Sequence, residues 1–130
     1  MSQENVQLTR EAFDHFRATG EPALHLTATD VEVYDHDIMD GEDYRGHDGV
    51  RRWLSDWATA WAEFAMEPEE FIDAGDRVVI VVRMTATGRS SGVSIDRQDA
   101  MVQEWRDGKI VRFDYYNDRD AALEAAGVVE

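Results

Sequence analysis

The chain has 130 residues, no cysteine, and 28 acidic against 13 basic side chains, for a formal charge of −15. That length fits one domain with one core, the missing cysteines exclude disulfides, thiolate metal sites and cysteine nucleophiles, and the negative field disfavours nucleic acid and anionic membrane as partners. With 43% hydrophobic residues, no basic apolar leader and no run near the roughly 20 apolar residues of a membrane span, a soluble cytoplasmic protein is expected.

In chain order, Val6, Leu8, Ala12, Phe13 and Phe16 form one apolar stripe, which predicts a helix over residues 3–18 stopped by Gly20. Pro22 followed by Ala23, Leu24 and Leu26 predicts a short second helix, with the proline in the first turn where its missing N–H costs little. Asp30 then opens a strand. From Val31 to Asp37 the side chains alternate, so Val31, Val33, Asp35 and Asp37 share one face while Glu32, Tyr34 and His36 share the other. The spelling VYDHD therefore does not gather ligands: Asp35 and His36 point to opposite sides, and the remaining histidines show no ligand spacing, so no metal is expected.

After the turn-rich IMDGEDYRGHDG, the stretch GVRRWLSDWATAWAEF places Trp53, Trp57 and Trp61 every four residues, a stripe on one helix face. These rings either pack against a sheet or wall a ligand pocket. Residues 65–118 predict an antiparallel meander of four strands. Its turns are AGD at 74–76, GRSSG at 88–92 and the two-residue hairpin signal Asp107-Gly108, and Pro68 weakens its first strand. GRSSG lacks the lysine and the following helix of a phosphate loop and reads as a hairpin. The chain closes with a short helix, DRDAALEAAG, capped at Gly127. Helices followed by a meander predict an α+β roll: a strongly curved, mostly antiparallel sheet wrapped around N-terminal helices, with a cone-shaped apolar cavity between the layers.

MSQENVQLTREAFDHFRATG, DVEVYDHD, YRGHDGVRRW, EEFIDAGDRVVIVVR, RDGKIVRF and DRDAALEAAG together resemble the SnoaL-like branch of the nuclear transport factor 2-like superfamily, across nearly the whole chain. The resemblance implies a single domain over residues 1–130, a pocket for a small hydrophobic molecule, no cofactor, and a homodimer formed through the outer sheet face. That face would carry Arg83, Thr85 and Thr87 with Arg112, Asp114 and Tyr116. The superfamily includes isomerases, cyclases and hydrolases as well as domains without catalysis, so the alternatives are acid–base catalysis and a dimeric binding or assembly module.

Against the ketosteroid isomerase pattern, Asp35 matches the base, but the two oxyanion donors fall at Phe13 and Met101, neither of which donates a hydrogen bond. Against the polyketide cyclase pattern, Asp118 matches a carboxylate near the end of the last strand, while the frequent inward histidine is Met101, with Gln103 next on that face. The candidate catalytic residues are Asp35 and Asp118. For Asp35 the alternative is a structural carboxyl paired with Arg45, and for Asp118 a helix N-cap. The expected pocket is formed by Phe13, Phe16, Val33, Trp53, Trp57, Met84, Met101, Gln103 and Phe113, with Tyr44 over its mouth and polar handles from Tyr115 and Asn117 on one face of the last strand or from Asp114 and Tyr116 on the other, since alternation leaves the inward face open.

Overall fold

Hairpin chemistry sets the sheet. The computed structural model describes residues 2–36 and 44–128, and there the chain runs α1 (Ser2–Thr19), a 3-10 turn (Leu24–Leu26), β1 (Thr27–Asp35), β2 (Tyr44–Arg45), α2 (Gly46–Ala60), β3 (Trp61–Ala74), β4 (Arg77–Gly88), β5 (Ser94–Arg106), β6 (Lys109–Tyr116) and α3 (Arg119–Ala126). Asp107 and Gly108 both take positive φ, 52° and 77°, the two-residue turn whose twist matches antiparallel strands. β3 to β6 accordingly form the expected meander. β1 then adds to β6 in parallel and carries β2 outside it, giving an open six-stranded sheet in the order β2-β1-β6-β5-β4-β3.

Alternation divides the sheet into two faces. The inner face presents Val31 and Val33, Val78, Ile80, Val82 and Met84, Met101 and Trp105, Phe113 and Tyr115 to α1 and α2, which contribute Ala12 and Phe13, and Val50, Trp53 and Trp57. Gly49 lets α2 approach this layer, since a Cβ there would lie 2.9 Å from the Tyr44 carbonyl carbon. The outer face is covered over β4 and β5 by α3, whose Ala122, Leu123 and Ala126 pack on Val79, Val81, Ala100 and Val102. Burying Leu123 alone contributes about 1.5–3 kcal/mol. Asp118 caps α3 by accepting from the Asp120 N–H at 3.1 Å, and the helix ends on Gly127 in the left-handed conformation. No described helix is long and apolar enough to cross a membrane.

Three expectations are corrected. The second helix is a three-residue 3-10 turn, and β1 begins at Thr27 rather than beside Asp30. Trp61 does not continue the tryptophan helix: it is extended, opens β3 and pairs with Gly88. The cause is tertiary. The last carbonyls of α2 receive donors from the β4–β5 turn, with Arg89 Nη2 donating to Ala58 O at 2.9 Å and to Trp61 O at 3.2 Å, and the Arg89 N–H donating to Ala60 O at 3.2 Å. Asp37, assigned to the inner face from the sequence, lies outside the described residues.

Candidate functional site

A recess of about 80 Å³ opens between α1, α2 and the inner sheet face. α1 lines it with Phe13 and Phe16, α2 with Trp53, Leu54 and Trp57, and the sheet with Phe64, Met66, Met101, Gln103 and Phe113. Phe16, Pro22, Leu54, Phe64 and Met66 are half-buried and mark its mouth, whereas Phe13, Trp53, Trp57 and Met101 are buried in its depth. Among the described residues no titratable side chain forms part of the wall. The polar side chains in it are Thr27, Gln103 and the two tryptophan N–H groups.

The hydrogen bonds of these groups define the chemistry. Trp53 and Trp57, one helical turn apart, both turn their N–H groups away to Asp35 Oδ2, at 2.7 and 2.9 Å. Thr27 donates its hydroxyl to Ala23 O at 2.8 Å. Gln103 differs: it is 5% exposed, and its side-chain oxygen has no hydrogen-bond partner among the described residues. The indole and threonine donors of the wall are engaged, whereas the Gln103 oxygen is not.

Behind the tryptophans lies a buried polar layer. The Tyr115 ring meets Trp57 edge-on at 5.0 Å, its hydroxyl donates to Asp99 Oδ2, and Arg97 Nε donates to Asp99 Oδ1 at 2.7 Å. Burial first, then the bond to Asp99 and the charges of Asp99 and Asp35, push the Tyr115 hydroxyl well above the ordinary tyrosine range, so it stays a neutral donor. On the opposite sheet face His36 stacks on Tyr116 at 4.3 Å and bonds Asp114 at 2.8 Å, and Arg112 holds the same carboxyl at 2.7 Å. Asp35 and His36 thus serve separate networks. Among the described residues no group of three or more His, Asp or Glu is arranged to hold a metal ion.

The structure sorts the expected site residues into three groups. Phe13, Phe16, Trp53, Trp57, Met101, Gln103 and Phe113 meet at the recess. Val33, Met84 and Tyr115 are buried in the core outside its wall. Tyr44 is buried as well rather than lying over the mouth, its hydroxyl donating to Asp56 Oδ2 at 2.6 Å. Asp118 and Asn117 are exposed at the start of α3, away from the recess. Asp35 is buried on the inner face behind the tryptophans, and Arg45 bonds Glu32 at 2.9 Å instead of Asp35. Of the residues missed from sequence, Asp99 shares strand parity with Met101 and Gln103, so alternation along β5 would have placed it inward. Phe64 was hidden by the assignment of residues 61–64 to a helix, and Met66 by the open facing direction of the strand that follows.

The profile of the SnoaL-like domain matches residues 9–113. Comparison with curated proteins gives no match. Among solved structures, an NTF2-like protein of unknown function from Burkholderia pseudomallei K96243 is 28% identical, with a TM-score of 0.78 over 92% of this chain and 95% of its own. TerC, co-crystallised with polyporic acid, is 26% identical, with a TM-score of 0.75 over 95% of this chain and 98% of its own. A hypothetical protein with a ketosteroid isomerase-like fold from Catenulispora acidiphila DSM 44928, in complex with trimethylamine, is 18% identical with a TM-score of 0.64 over 82% of this chain and 80% of its own, a likeness of fold alone. With helices packed on a curved open sheet, a recess between the two layers and a profile match over most of its length, the chain belongs to the SnoaL-like domain family.

Proposed function

We propose that this protein binds a small hydrophobic or aromatic molecule in the recess between α1, α2 and the sheet. The observation that carries this reading is the wall itself, where aromatic and aliphatic side chains predominate and no described titratable group intrudes. TerC, a structural neighbour co-crystallised with polyporic acid, supports a small-molecule occupant. The volume bounds what fits: about 80 Å³ is roughly half of the ~150 Å³ apolar cavity that accepts benzene, and below the ~300 Å³ at which drug-sized pockets begin. Even a single ring therefore requires the half-buried mouth residues to move. Burying about 150 Å² of ring surface gains about 4 kcal/mol before the cost of association, which makes a dissociation constant of about 1 mM the upper bound on single-ring affinity.

Acid–base catalysis with Asp35 as base is the second reading, favoured by the burial of its carboxyl on the inner face directly behind the wall. For a substrate to reach Oδ2, one tryptophan N–H must leave it. Without that motion Asp35 acts by holding the two indoles in place.

One variant separates the two readings. Asp35→Asn keeps the shape and an acceptor oxygen for the indoles. A titration of single-ring aromatics followed by tryptophan fluorescence should saturate in the wild type, with Asp35→Asn within about threefold of it. If Asp35 is a base, turnover of ketones, epoxides or polyphenols will fall by about 100-fold or more in the variant while binding persists. Absence of any saturable change in the wild type would overturn the recess reading.

A further inference from the structure

We infer that Arg17 and Glu67 form a latch over the recess: their ion pair holds α1 to the free edge of β3, and its release lets residues 63–68 swing outward to admit a ring. This inference rests on the small-molecule reading above and adds how the site opens.

The void of about 80 Å³ is smaller than a ring needs, so part of the mouth must yield. Phe16 and Leu54 belong to continuous helices, whereas Phe64 and Met66 lie on β3, the end strand of the described sheet, which is bonded to β4 along one side. Register shifts between Trp61 and Glu63 and between Pro68 and Glu70 bound the segment that carries them, and Pro68 has no N–H to give to the ladder. A short run of edge strand between two irregularities is the least firmly held part of this wall.

α1 touches β3 at two places along the strand. At Phe71, the ring of Phe13 packs edge-on at 6.4 Å and the Arg10 guanidinium lies over the ring at 4.3 Å. Nearer Met66, Arg17 Nη2 donates to Glu67 Oε2 at 2.8 Å. Each member of the pair is the chain neighbour of a mouth residue, Arg17 of Phe16 and Glu67 of Met66, so the bond ties the two lips together. Both side chains are exposed, at 43% and 63%. Water therefore rehydrates both charges on opening, and salt screens their attraction. An apolar clasp at the same place would not be loosened by salt.

The test measures the dissociation constant of phenol, uncharged near neutral pH, by tryptophan fluorescence for the wild type, Arg17→Ala, Glu67→Ala and the double variant. Because the bound state has the latch open, each single variant should bind phenol about two- to fivefold tighter than the wild type at about 0.01 M salt. The double variant should bind no tighter than the single ones, since either substitution removes the whole bond. Raising sodium chloride to about 1 M should bring the wild type to within about 1.3-fold of the variants, which also correct for salting-out of phenol. Equal affinities in all four proteins at low salt, or weaker binding in the variants, overturn the latch and leave the recess reading standing.

A covalent latch gives a larger effect. The chain has no cysteine, so Arg17→Cys/Glu67→Cys can be joined by a short cleavable bis-maleimide. Phenol binding should weaken by at least about 10-fold in the joined form and return when the linker is cut. Unchanged binding in the joined form also overturns the latch. If phenol alters the fluorescence of none of these proteins, the recess reading falls and this inference with it.

Discussion

At Tyr115 a phenol and a buried acid form a pair whose energetics can be measured. Asp99 is fully buried, held by Arg97 on one oxygen and by the Tyr115 hydroxyl on the other. Because the folded state raises the Tyr115 pKa, the folded chain keeps that proton at pH values where the unfolded chain has released it. The stabilisation is complete below the unfolded value near 10 and is lost as the pH rises above it, at up to about 1.4 kcal/mol per pH unit. Urea unfolding between pH 9 and 11.5 should therefore show a shallower decline of stability in Tyr115→Phe than in the wild type, and an equal slope would remove the assignment. The same variant should lose about 1–3 kcal/mol at pH 7, since it withdraws a donor from a buried carboxyl. The sequence placed Tyr115 on the last strand and left its facing direction open. Register with Met101 decides it, and register is a property of two strands together.

At the level of elements, the junction of α2 and β3 separates local pattern from tertiary control. Tryptophans at 53, 57 and 61 spell one continuous helix, yet the chain turns extended at Trp61 with no intervening loop. The donors that make this possible come from Arg89, which engages carbonyls 28 and 31 residues earlier in the chain. Arg89→Ala should reduce stability by about 0.5–1.5 kcal/mol in chemical denaturation and speed amide exchange at Trp61, whose N–H closes the last helical turn on Trp57 O. Unchanged exchange there would show that Trp61 pairing in β3 is sufficient by itself. The meander was legible by contrast, because Asp107-Gly108 and Gly75 carry the positive φ of their turns within two residues of chain.

For the whole molecule the dominant long-range term is charge. A formal −15 on 130 residues repels itself in the compact state, although pairs such as Arg17 with Glu67 and Arg119 with Glu70 offset part of it locally. Raising ionic strength from about 0.01 M to 1 M shortens the screening length from about 30 Å to about 3 Å. Thermal unfolding should move upward with sodium chloride, a gain of about 1 kcal/mol corresponding to about 4 °C. A melting temperature that falls with salt would mean that the surface ion pairs outweigh the repulsion.

By itself the sequence determined the hairpins of the meander, the capped last helix and the alternation that puts Met101 and Gln103 on one side of β5, because backbone geometry and turn chemistry act over a few residues. The tertiary structure alone decided that Asp35 turns to two indoles 18 and 22 residues away, that α3 rather than solvent covers the outer face of β4 and β5, that Phe113 and Tyr115 face inward, and that a recess of about 80 Å³ opens between the layers. These depend on how separate elements pack, and a partner or a cavity exists only once distant side chains have been brought to the same place.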